Sequence, residues 1–70
     1  MQLMDAYDWQ GHAINVGERV TVCAATVDGF PHGTVTDVRG GHVEVVIDGC
    51  TYSMWFRGEQ VVIDSEIEEA

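Results

Sequence analysis

His42-Val43-Glu44-Val45-Val46-Ile47-Asp48-Gly49-Cys50-Thr51-Tyr52-Ser53-Met54-Trp55-Phe56 is the stretch that decides the fold. Apolar side chains recur at every second position on both sides of Asp48-Gly49, the period of a half-buried strand. Asp-Gly between two such runs is the strongest short hairpin signal, because a type I′ turn needs positive φ at both central positions. A two-residue turn there pairs Ile47 with Cys50, Val45 with Tyr52 and Val43 with Met54. With Phe56 these form one continuous apolar face, which must be the core side. The other face pairs Val46 with Thr51, Glu44 with Ser53 and His42 with Trp55. Trp55 is therefore predicted to point away from the core, and a one-residue slip would bury Glu44 and Asp48.

The same pattern extends outward. Arg19 to Val27 alternates, with Val20, Val22 and Ala24 on one face and Thr21, Cys23 and Ala25 on the other. Gly29-Phe30-Pro31-His32-Gly33 breaks it and makes a loop. Thr34 to Val38 is a second strand closed by Arg39-Gly40-Gly41, Val43 to Ile47 a third and Cys50 to Phe56 a fourth. After the turn Arg57-Gly58-Glu59, Gln60 to Ile63 is a fifth. No stretch shows a helical period, so the expectation is all-β, with five short strands in one small domain. Residues 1–18 read as an N-terminal arm, 19–63 as the folded unit and 64–70, with four carboxylates and no cation, as a solvated acidic tail.

Composition narrows the function. The 70 residues carry 12 acidic side chains against 3 Arg and no Lys, a formal charge of −9. Arg19, Arg39 and Arg57 are too few and too scattered to neutralise a phosphate backbone, so no direct nucleic-acid binding is expected. Disorder is excluded by a 46% hydrophobic content that includes eleven valines. No apolar run approaches the roughly 20 residues of a membrane span. Met1-Gln2-Leu3-Met4-Asp5 lacks the layout of a signal peptide, which makes a cytoplasmic protein the expectation. Cys23 and Cys50 have no CxxC spacing and read as small apolar fillers, with a single bridge between them left open.

Five strands with this turn order resemble a small SH3-like barrel. Val27 to His32 stands where its long first loop would be, Arg39 to His42 at the second, Asp48-Gly49 at the distal hairpin and Arg57-Gly58-Glu59 at the turn before the last strand. Gly33-Thr34-Val35-Thr36-Asp37-Val38, with the alternation through Ile47, also resembles the KOW motif of ribosomal and transcription-elongation proteins. There two apolar residues three apart both reach the core, which here implies a β-bulge near Thr36 and Asp37. The segment from Asp8 to Val20 is similar to the lead-in D-x-x-G-x-x-I-x-V-G-(D/E)-x-V of small bacterial and phage proteins of this fold. The resemblance covers about residues 8 to 63 and implies a single five-stranded SH3-like barrel. Its relatives bind RNA through basic loops. The loops here offer Asp28, His32, Asp37, Arg39, His42, Asp48, Arg57 and Glu59, which are mixed or acidic, so the fold is carried over and the RNA binding is not.

No constellation for catalysis, metal or cofactor stands out. His12, His32, His42, Cys23 and Cys50 have no ligand-pair spacing, and no GxSxG, HExxH or P-loop pattern is present. The aromatic residues are more informative. Phe30 lies in the first loop, and Tyr7, Trp9 and Trp55 are candidates for exposure as interface anchors. The competing reading folds the arm back so that Tyr7 or Trp9 covers Trp55. The acidic excess also has two readings, solubility alone or complementarity to a basic partner.

The expected function is a small non-catalytic acidic module that binds a protein partner with a basic surface. Trp55, Phe30 and Trp9 would act as anchors, and Asp28, Glu44 and Glu59 as flanking carboxylates. The alternative is a nucleic-acid-mimicking inhibitor of a host defence or nucleic-acid-binding protein, of the kind phages encode. A monomer or weak homodimer is expected, since exposed edge strands can pair with another copy or be blunted by the arm.

Overall fold

The computed structural model describes residues 6–67, and the side chains of residues 6–65. The fold is all-β apart from two single turns of helix. β1 (Ala6–Tyr7) and β2 (Ala13–Ile14) form a small antiparallel ribbon. β3 (Arg19–Val22), β4 (His32–Arg39), β5 (His42–Ile47), β6 (Ser53–Arg57) and β7 (Val61–Ile63) form an antiparallel sheet in the order β6-β5-β4-β3-β7. The last strand thus returns to lie beside the first. A 3-10 turn, Gly58–Gln60, joins β6 to β7, and one α-helical turn, α1 (Asp64–Ile67), follows β7. β6 and β7 are the sheet's edges, and neither sheet closes into a barrel among the described residues.

The five expected strands are all present, with different bounds. The first ends at Val22 rather than Val27, because the chain turns at Ala24, whose carbonyl accepts from Val27 N–H at 3.1 Å. The alternation beneath it holds in part: Val20, Val22 and Ala24 are buried and Cys23 and Ala25 exposed, but Thr21, expected on the outer face, is buried where it meets Asp64. Cys23 is therefore not the apolar filler expected of it, and Cys50 is only half-buried at the core's rim. Both cysteines are free thiols. Valine fills the interior. Val20, Val22, Val35, Val43, Val45 and Val61 are the largest side chains buried completely, with Ile14, Ile47, Ile63 and Phe56 around them. β-branched side chains suit this role, being stiff at χ1 and packing well on a pleated surface.

The central hairpin keeps its predicted faces but not its predicted register. Val43 pairs with Phe56, Glu44 with Trp55, Val45 with Met54 and Val46 with Ser53, a shift of two residues from a two-residue turn. Two residues is one full strand period, so Val43, Val45, Ile47, Met54 and Phe56 still face inward. The cause lies in the turn. Gly49 has φ +87°, but Asp48 is not in the left-handed region, so the type I′ condition fails. Cys50 N–H still closes the turn onto the Ile47 carbonyl at 2.9 Å, and the ladder starts only at Ser53. A turn of this hand splays the strands it joins and does not continue their twist. Tyr52, expected in the core, is left in the widened loop and is exposed. The type I′ condition is met instead between β4 and β5, where Gly40 and Gly41 have φ +57° and +84°.

A bulge interrupts β4. The register moves between Val35, opposite Val45, and Asp37, opposite Glu44, leaving Thr36 as the extra residue. Val35 is consequently buried and Val38 packs against the core, although their odd spacing would otherwise put them on opposite faces.

The N-terminal arm is more ordered than its sequence indicates. Asp8 closes the β1–β2 loop: its Oδ1 accepts from Gln10 N–H at 3.0 Å and His12 N–H at 2.8 Å, and Asp8 N–H donates to His12 O at 2.9 Å. Ala6 and Ile14 enter the main core from this ribbon. Gly58 lies directly under Tyr7, so that a Cβ there would overlap the Tyr7 carbonyl oxygen. Only glycine admits that approach. At the other terminus, Asp64 begins a helical turn packed on β3 and β7 rather than a solvated tail. The remainder of the expected tail, beyond Ile67, and residues 1–5 of the arm lie outside the described residues.

Candidate functional site: an aromatic groove beside a cationic row

The Gly58–Tyr7 contact sets one wall of a groove of about 390 Å3. Tyr7 and Trp9 come from the ribbon, Gly41 and His42 from the β4–β5 hairpin, and Arg57, Gly58 and Glu59 from the end of β6 and the 3-10 turn. Gly58 N–H donates to the Gly41 carbonyl at 3.0 Å and ties the last two walls together. Arg57 Nη1 donates to Glu59 Oε2 at 3.3 Å, and His42 Nδ1 to the Gly40 carbonyl at 3.2 Å.

The outer face of the sheet continues from this groove. Trp55 stands opposite Glu44, two residues along β6 from Arg57. Trp55 is 46% exposed, as the face assignment predicted, although its cross-strand neighbour is Glu44 rather than His42. Glu44 is not a free carboxylate. Its Oε1 accepts from Thr36 Oγ1 at 3.0 Å and its Oε2 from Ser53 Oγ at 2.5 Å.

The other expected site residues are divided between the two ends of the molecule. Trp9 and Glu59 share the groove, and Trp55 and Glu44 lie on the adjoining face. Phe30 and Asp28 sit in the β3–β4 loop, at the far end of β4, whose eight residues span roughly 25 Å. Phe30 is 66% exposed and has φ +48°, the one non-glycine residue with positive φ among the described residues. Among the described residues Asp28 makes no side-chain hydrogen bond or ion pair. The six expected residues therefore form two patches, not one. Sequence reading missed His42 and Arg57 as neighbours, because the wrong hairpin register placed His42 against Trp55. It also missed Tyr52 as a surface aromatic. The neighbouring Cys50 thiol holds the Tyr52 hydroxyl above the usual phenol range.

A polar cluster lies at the opposite end. Thr21 Oγ1 donates to Asp64 Oδ1 at 2.6 Å and lies 2.9 Å from His32 Nδ1, which is 3.2 Å from Asp64 Oδ2. Beside it Arg19 grips Asp48 with two guanidinium nitrogens, at 2.8 and 2.5 Å. Bidentate bonding of this kind holds the Asp48 carboxyl below its ordinary range and Arg19 above its own. Thr21 is buried, and its hydroxyl proton goes to the Asp64 carboxylate. The cluster is a fastening between β3, β4, the β5–β6 turn and α1. No group of three His, Cys, Asp or Glu among the described residues is arranged to hold a metal. No helix among them is long and apolar enough to cross a membrane.

Compared with family models, curated proteins and solved structures, the chain matches none.

Proposed function

We propose that this protein is a small non-catalytic binding module with an SH3-like sheet, and that it docks a protein partner carrying a basic surface. One observation carries the reading. Of six aromatic side chains, Tyr7, Trp9, Phe30, Tyr52 and Trp55 are all exposed and only Phe56 is buried. A 70-residue domain is short of apolar area, and burying large rings is its most direct source of stability. Leaving five outside is costly unless something covers them, and exposed Trp and Tyr are the usual anchors of interfaces. The strand order, with β7 returning beside β3, and the bulge at Thr36 support the SH3-like reading. The basic partner follows from charge. Four of twelve carboxylates lie in residues 64–70, which leaves −5 on the rest.

The nucleic-acid mimic is less well supported. A mimic needs rows of free carboxylates at phosphate-like spacing. Here Asp37, Asp48 and Glu59 are each paired with an arginine, and Glu44 is held by two hydroxyls.

Trp55→Ala tests the proposal. Partners captured from lysate by the wild-type chain are purified and titrated against both proteins, with folding checked by amide spectra. A captured protein with a basic surface, bound at least about tenfold more weakly by the folded Trp55→Ala variant, is the expected result. Equal affinities, or capture of acidic proteins only, overturn it.

A further inference from the structure

The register places Arg39 opposite His42, and His42 opposite Arg57. Directly opposite residues share a face with Cβ atoms about 4.5–5.5 Å apart, so two of the three arginines and a histidine form one row across β4, β5 and β6. Two of the chain's three cations are thus gathered at one end of the sheet, in a chain with no lysine. The arginines differ in how they are held. Arg19 is locked to Asp48 through both terminal nitrogens. Arg39 and Arg57 each offer a single nitrogen to an exposed carboxylate, at 3.2 Å to Asp37 and 3.3 Å to Glu59. Exposed single-point pairs are weak and leave most of each guanidinium's five donors unused. His42 Nδ1–H donates to a carbonyl, so its Nε2 becomes a donor to an anion only in the imidazolium form.

The row opens onto the groove, whose far wall is Ala6, Tyr7, Asp8 and Trp9, with the Asp8 carboxylate engaged by the Gln10 and His12 N–H groups of its own loop. We infer that the groove is a binding site for a small organic phosphate bearing one aromatic ring. The ring rests on Trp9 or Tyr7 while the phosphate lies across His42 and Arg57, with Arg39 behind. A single arginine satisfies a carboxylate with two parallel bonds, whereas two guanidinium groups flanking an imidazole offer donors to several oxygens of a doubly charged phosphate. The volume lies near the lower end of the about 300–1,000 Å3 of ligand sites, which fits one ring and one phosphate rather than a polymer.

Adenosine 5′-monophosphate is the probe, titrated at low salt in phosphate-free buffer and followed by amide and indole N–H shifts. Saturable binding is expected at about 0.1–1 mM, with the largest shifts at Trp9, Gly41 and Arg57. Adenosine alone and inorganic phosphate alone bind at least about tenfold more weakly. Arg57→Gln and Arg39→Gln each weaken binding, the former about tenfold, while Glu59→Gln strengthens it about two- to fivefold by removing a competitor. Both arginine side chains are well exposed, so the variants keep the fold. Adenosine binding as tightly as the nucleotide, unchanged affinity in Arg57→Gln, or shifts confined to the Arg19–Asp48 end overturn the inference. This experiment uses no protein partner and is independent of the Trp55 test.

Discussion

Phe56 and Trp55 are adjacent in sequence, and strand alternation sends their rings to opposite sides of β6. Phe56 is 3% exposed and is the only aromatic side chain in the core. Replacing it with alanine leaves a hole among stiff valines that cannot collapse into it, and should cost about 3–5 kcal/mol. Trp55→Ala removes a ring from the solvated face and should change stability by no more than about 0.5 kcal/mol. Urea unfolding of the two variants measures this directly. A large loss in Trp55→Ala would mean that its ring is part of the packed structure, contrary to the face assignment. Tyr7 and Trp9 are themselves exposed, so the arm seals the core with Ala6 and Ile14 rather than with its aromatic rings.

At the level of elements, the two ends of the sheet are fastened by different chemistry. The β4–β5 end depends on backbone geometry, through Gly40-Gly41 and the Gly58–Gly41 hydrogen bond. The β3–β4 end depends on side chains. Asp48 has a carboxyl pKa lowered by Arg19, so its contribution is present above the ordinary carboxylate range and is lost as pH falls through the depressed folded value. Asp48→Asn and Arg19→Gln should therefore flatten the acid limb of the stability–pH curve below about pH 4 and leave its shape near neutrality unchanged. Thermal melts across that range check it, and an unaltered limb would show that the pair contributes nothing. The neighbouring Thr21 hydroxyl is a buried donor to Asp64. Thr21→Val keeps the shape but removes one of the two partners of that carboxylate, leaving His32, with an expected cost of about 1 kcal/mol.

For the whole molecule, charge and core set opposite demands. A formal −9 on a chain this short repels itself, while the exposed arginine pairs are too few and too screened to compensate. Added salt should therefore raise the melting temperature between about 20 and 200 mM at neutral pH, because screening relieves net repulsion more than it weakens three surface pairs. A fall would show that the ion pairs dominate. The all-β class, the strands from Arg19 to Ile63 and the outward Trp55 were legible in the residues, since alternation is a local property of the chain, whereas the bulge at Thr36 was implied only by the KOW resemblance. The hairpin register was not, because Asp48-Gly49 permits more than one turn, and Arg19 and the His32 carbonyl hold Asp48 from distant strands. Nor was the β1–β2 ribbon, whose two-residue strands have no period to read. The aromatic groove and cationic row depend on both. Alternation in the sequence determined which face of each strand is dry. Which residues meet across strands was decided only by tertiary structure, because a two-residue shift costs nothing in pattern and is settled by contacts far away in the chain.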